Sequence, residues 1–242
     1  MSLVLGPALT DLDLSGITSI YYFKTSGDNL TPSLVAFLSR AKVASPCLKK
    51  VHLSSGRLSP QLRDTISNLV CALRILEHFV YTVDFPLTED ALGALAQSNH
   101  LRNLGLHLPE NDGLLLPLKH ITNPFASLRS LILHVDHLQS YLTFSGLATL
   151  PLVESFNLQI KQLPPQTLVE QLFADLSFRL SSEHLTQLVI SSPADIPLTS
   201  DVTIHSPDLR PLLVFRLLQH AEITPRWKFD LDDELMREIA SS

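Results

Sequence analysis

The sequence predicts an α/β solenoid, with parallel strands on one side and helical returns on the other. Three observations predict it. A leucine-x-x-leucine-x-leucine pattern, or a close variant, recurs eight times. The copies are Leu9-Leu12-Leu14, Leu48-Val51-Leu53, Leu76-Phe79-Tyr81, Leu101-Leu104-Leu106, Leu128-Leu131-Leu133, Val153-Phe156-Leu158, Leu185-Leu188-Ile190 and Leu218-Ala221-Ile223. Their starts lie 39, 28, 25, 27, 25, 32 and 33 residues apart, the period of one strand plus one return. Leucine makes up about a fifth of the 242 residues, the excess that a stacked apolar column requires. These are the marks of a leucine-rich repeat: horseshoe-like, irregular in its repeats, with a parallel sheet on the concave face and helices on the convex face. Residues 1–242 read as a single domain of about eight repeats, cut from a longer array. A full repeat strand begins only eight residues in, and the last helix stops at Ser241-Ser242 where another strand is due.

Between the strands the apolar spacing changes from two to about three and a half. Thr31-Pro32 opens a helix carrying Leu34, Phe37, Leu38 and Ala41, with proline in its first turn. Ser59-Pro60 opens another, with Leu62, Ile66, Leu69, Val70 and Leu73 inward. Thr88 caps a third, and Glu89 and Asp90 suit the positive end of its dipole. Leu92, Leu95 and Ala96 face inward there. Pro164-Pro165 starts the longest return, striped by Leu168, Leu172, Phe173, Leu176 and Leu180. Asp208 to Phe215 makes a short one. Asp230, Asp232, Asp233 and Glu234 begin the last, with Leu231, Leu235 and Ile239 on one face. Pro109 to Gly113 and Ser191 to Pro207 have the composition of loops.

Composition excludes several classes. A net charge of −6 and a pI near 5.9 argue against a nucleic-acid binder, and no Lys/Arg run exceeds Lys49-Lys50. The N-terminus lacks the basic segment of a signal peptide. No apolar run approaches a membrane span of ~20 residues. Two cysteines, Cys47 and Cys71, make no disulfide framework; an intracellular protein, cytoplasmic or nuclear, is expected. Both are expected as buried small hydrophobes.

A series of segments carries a resemblance. Leu73-Arg74-Ile75-Leu76-Glu77-His78-Phe79 leads to Leu87-Thr88-Glu89-Asp90-Ala91-Leu92. Leu101-Arg102-Asn103-Leu104 and Phe125-Ala126-Ser127-Leu128-Arg129-Ser130-Leu131 follow. Asp208-Leu209-Arg210-Pro211-Leu212-Leu213 and Leu231-Asp232-Asp233-Glu234-Leu235 close it. In this order, over nearly the whole chain, they resemble the repeat region of the F-box-like proteins of mushroom-forming fungi. The resemblance implies a substrate receptor: an upstream F-box docks on the Skp adaptor of a cullin-type ubiquitin ligase, and the repeats recruit a protein substrate. No Leu-Pro-x-Glu-Ile-Leu opening precedes Leu9, so no residue of this sequence is assigned the adaptor step. The alternative reading is a repeat scaffold with no ligase link. The sequence also departs from the common repeat consensus. Where asparagine or cysteine is expected, three residues after the last leucine, it has Ile17, Gly56, Asp84, Pro109, Asp136, Lys161, Pro193 and Arg226. That removes a buried amide ladder and puts smooth curvature in doubt.

No nucleophile elbow, phosphate loop or dinucleotide fingerprint occurs, so no enzyme and no cofactor are expected. His134-x-x-His137 has a tempting spacing, but a strand and the turn after it need not bring the two rings together. A solvated strand end is the simpler reading, and no metal is expected. The acids at 230–234 fit a helix N-terminus better than a calcium loop. Trp227 is expected to pack beneath the last helix.

The one positional argument concerns the concave face. If the fourth and sixth positions of each repeat point inward, alternation turns the third, fifth and seventh outward. Five of the ten histidines fall on that face. Its middle is small, neutral and polar, and the acids lie near its ends. His78, Asn103, His107, Ser130, Ile132, His134, Ser155 and Asn157 are the expected protein-binding residues. His107 and His134 share the seventh position of consecutive repeats and should stand side by side. Two adjacent imidazoles resist double protonation, so a bound partner should respond between pH 7 and 5.5.

Overall fold

The computed structural model describes residues 5–15, 30–54, 59–83, 86–108, 110, 112–148, 150–192, 202–224 and 227–241. It is an α/β fold built on one parallel sheet of eight strands in chain order. The strands are β1 (Asp11–Asp13), β2 (Lys50–Ser54), β3 (His78–Thr82), β4 (Asn103–Leu108), β5 (Ser130–Val135), β6 (Ser155–Ile160), β7 (Gln187–Ser191) and, after β8 (Thr203–His205) outside this sheet, β9 (His220–Ile223). Their register matches the repeat. Leu12, Val51, Phe79, Leu104, Leu131, Phe156, Leu188 and Ala221 are laterally paired, one per strand.

A fork of hydrogen bonds sets that register. The carbonyl of the second residue of each repeat accepts two successive N–H groups from the next strand. Thr10 O takes Lys49 N and Lys50 N at 2.8 and 3.0 Å, and Lys49 O takes Glu77 N and His78 N. Glu77, Arg102, Arg129, Glu154 and Thr186 repeat the arrangement up to Gln219 and His220. The side chains of the same row pair across strands: Lys49 with Glu77 at 2.8 Å, and Arg129 with Glu154.

The returns are α1 (Leu30–Ala44), α2 (Pro60–Ala72), α3 (Glu89–Ala96), a 3-10 helix over Asp112–His120, α4 (Leu138–Leu147) and α5 (Gln166–Arg179). Each packs on its successor. Ser59 Oγ accepts from Leu62 N, and Thr88 Oγ1 from Ala91 N, so both expected caps form. Between sheet and returns lies one apolar core, in which Leu104, Leu131 and Leu188 are at most 1% exposed. The inward row extends further than the repeat pattern indicates. Val83, Leu108, Val135 and Ile160, two residues beyond the last leucine, are also buried.

Several expectations fail, each for a local reason. Ser191–Pro207 is not a plain connection. It holds β8 (Thr203–His205), which pairs with β10 (Lys228–Asp230) in a separate two-stranded sheet; residues 193–201 lie outside the described part. Gly113 belongs to the 3-10 helix rather than to a turn; Pro109 and Asn111 are not described. Helix α4 has no expected counterpart, because His137 precedes it without capping it through its side chain and the helix buries Ser140 and Ser145 among its apolar residues. The longest return is α1, one residue longer than α5. Cys47 and Cys71 are exposed, not buried. Cys71 follows Val70 by one residue, a 100° step away from the buried stripe. After α6 (Ser206–Leu209) and a 3-10 turn over Arg210–Val214 comes α7 (Asp233–Ser241). It buries Leu235, but Leu231 lies ahead of it and is exposed, as is Ile239. Trp227 is buried, with its ring edge-on to Phe173 of α5 at 6.4 Å. Among the described residues no helix is long and apolar enough to cross a membrane.

Leu131 sits at the centre of this core, fully buried. Leu131→Ala is expected to cost ~2–5 kcal/mol, read as a lowered urea midpoint at unchanged slope. An unchanged midpoint would show that the central strands do not carry the stability.

Candidate functional site

The helix-free face of the sheet presents three lateral rows. The third-position row runs Asp11, Lys50, His78, Asn103, Ser130, Ser155, Gln187 and His220. The fifth-position row runs Asp13, His52, Val80, Gly105, Ile132, Asn157, Val189 and Glu222. In the seventh-position row His107, His134, Gln159 and Ser191 pair in turn. Alternation in parallel strands produces this directly, since every second side chain points away from the core. His78, Asn103, Ser130, Ile132, Ser155 and Asn157 are brought together and half-exposed. Ser155 Oγ donates to Gln187 Oε1 at 3.0 Å and ties two strands of the row.

The ends of the face are charged. The Asp11 carboxylate is held below its ordinary pKa by hydrogen bonds from Thr10 and from Lys50, whose Nζ lies 3.1 Å away. Asp13 is lowered by hydrogen bonds from Ser15, with His52 at 3.8 Å. Between these acids and Glu222 the two rows carry only one formally charged side chain, that of Lys50.

The two paired histidines differ in environment. His107 is 8% exposed. Its Nδ1 faces Val83 O at 3.1 Å and its Nε2 faces Asp136 Oδ1 at 3.2 Å. Both partners are acceptors, so both bonds form only when both ring nitrogens carry hydrogen. Lys161 Nζ reaches the same Asp136 oxygen at 3.1 Å. Burial works to raise the Asp136 pKa, but Lys161 and His107 outweigh it and hold the carboxyl below its usual range. His134, alongside, is half-buried and not the solvated strand end that its position suggested. Burial first, then the charges of His107 and Lys161, push its pKa down to about 4. A fall from pH 7 to 5.5 therefore leaves His134 neutral, and the expected response of this ring moves to lower pH.

Asp136 and Lys161 were not among the expected site residues. The signal was present: both stand three residues after the last leucine, in adjacent repeats, where the consensus has a buried amide. An ion pair closed by His107 occupies that place. The other departures from consensus, Ile17, Gly56, Asp84, Pro109, Pro193 and Arg226, lie outside the described residues. His137 pairs with Glu110 at 3.2 Å. Among the described residues no group of three or more His, Cys, Asp or Glu is placed to hold a metal ion.

Comparison with models of known protein families finds no match, and comparison with curated proteins finds none.

The depressed His134 pKa sets the sign of a pH effect. The native state binds fewer protons than the unfolded chain between about 6.5 and about 4. The contribution of His134 to stability is complete above the upper value and is lost as pH falls through the lower one. An NMR titration of the imidazole should give a midpoint near 4. A midpoint near the ordinary 6.5 would place the ring in open solvent.

Proposed function

We propose that the chain is a leucine-rich-repeat solenoid that binds protein through the concave face of its sheet, with the helical returns on the convex side. By its resemblance to the F-box-like proteins it acts as the substrate-recruiting part of a cullin-type ubiquitin ligase. In that reading the Skp adaptor is engaged only through an F-box encoded upstream. The observation that carries the reading is the strip Asn103, Ser130, Ile132, Ser155 and Asn157. It is laterally aligned over three strands, half-exposed and free of formal charge. A small apolar centre ringed by neutral polar groups suits a protein partner. A phosphate backbone would call for a row of Lys and Arg, which the strip lacks.

The reading predicts the outcome of a competition between faces. Ser130→Arg/Asn157→Arg introduces charge on the strip, and Phe178→Arg does so on α5, where Phe178 is 79% exposed. In affinity capture from a fungal extract the strip variant should recover its partners about tenfold less well than wild type, a hot-spot loss. The α5 variant should match wild type. Equal recovery by a folded strip variant moves the binding surface elsewhere. For the ligase link, an F-box in the gene ahead of Met1 decides in favour, and its absence decides for a scaffold.

A further inference from the structure

The fifth-position row has a period of its own. Apolar residues occupy alternate strands: Val80 on β3, Ile132 on β5 and Val189 on β7, with Gly105 and Asn157 between them. Neighbouring strands lie ~4.8 Å apart, so the apolar backbone positions recur every ~9.6 Å. One further step of two strands before Val80 is Asp13, 66% exposed in its side chain and held below its ordinary pKa. Glu222 closes the row at the other end. An occupant of this row is therefore uncharged in its middle and basic at its end.

Backbone geometry narrows the occupant further. A polyproline-II helix rises ~3.1 Å per residue with three residues per turn, so it returns the same side every ~9.3 Å. An extended strand does so every ~6.8 Å. An α-helix brings back nearly the same side after seven residues, ~10.5 Å. From Val80 to Val189 the mismatch is ~0.6 Å for polyproline II and ~1.8 Å for an α-helix. Hydrogen bonding separates the two again. An α-helix has its carbonyls bonded internally, whereas polyproline II leaves them all available. The adjoining third-position row offers Asn103, Ser130 and Gln187 as side-chain donors beside the apolar row. Gly105 suits such a visitor as well. A Cβ there would stand 3.0 Å from Val80 Cγ1, so Val80 leans over the glycine and floors the first interval with methyl groups. Proline rings over that interval then meet an apolar surface, and those over the second interval lie beside Asn157.

We propose that the sheet face binds a polyproline-II segment with an apolar residue at every third position and a lysine or arginine three residues ahead of the first. This rests on the reading of the same face as a protein-recognition surface, and it gives the partner a chemistry. The test uses the full chain and fluorescein-labelled peptides read by fluorescence anisotropy. The probe is Arg-Pro-Pro-Leu-Pro-Pro-Leu-Pro-Pro-Leu. One control has the same composition with its three leucines adjacent. A second is an alanine-based helical peptide, led by arginine, with leucines seven residues apart. The probe should bind about tenfold more tightly than either control, and Ile132→Asp should weaken it about tenfold. Asp13→Asn should weaken it about threefold, as an exposed ion pair does, and should leave a glutamine-led version unchanged. Ile132→Ser serves where the aspartate variant melts early.

Equal binding of spaced and adjacent leucines, preference for the helical control, or no binding by folded wild type overturns the proposal. If the peptides fail while the strip variant still loses its captured partners, only the polyproline-II partner falls. If capture is also unchanged, the surface falls with it.

Discussion

One hydrogen-bond fork, repeated between successive strands of the eight-stranded sheet, holds that sheet in register. The second residue of each repeat offers its carbonyl to two successive N–H groups of the next strand, from Thr10 through Thr186. Side chains alternate with a period of two, so a slip by one residue would turn Leu104, Leu131 and Phe156 to solvent and Ser130 into the core. The fork prevents that at each step. Because the start of every strand is aligned, the inward positions stack into one apolar column and the outward positions line up as straight rows. Core and candidate site are the two faces of a single alignment. The Lys49–Glu77 and Arg129–Glu154 pairs follow the same entrance row, but they are partly solvated and add little beside the backbone.

The sheet face is not uniform along the strands. Near their entrances it is small, neutral and half-exposed, as at Ser130 and Ser155. Toward their exits it closes over. His107 is buried between the Val83 carbonyl and Asp136, and Lys161 completes the cluster. Each member satisfies another, so the corner is a bonded network rather than a set of open contacts. His134 pays for its position beside it: burial first, with His107 and Lys161 alongside, keeps it neutral. The corner thus ties β4, β5 and β6 together at their exits, and the half-exposed polar side chains lie toward the entrances.

The sequence by itself determined the strand order, the lateral alignment and the core. Eight apolar triplets recurring every 25 to 39 residues admit one parallel stack, and Ser59 and Thr88 mark their helix starts by chemistry that acts within four residues. What it left open depended on contacts distant in the chain. Helix α4 has no cap to announce it and is held by packing, with Tyr141 edge-on to Phe156 at 5.8 Å and bonded to Asp175. Strand β8 exists because β10, some 25 residues later, pairs with it. The exposure of Cys71, Leu231 and Ile239 was decided by which neighbours arrived to cover them. His107 and Asp136 are 29 residues apart and meet only when β4 lies against β5. Periodicity reports which way a side chain points. Only the tertiary structure decides what stands opposite it, because burial, pairing and pKa are properties of two surfaces and a sequence window describes one.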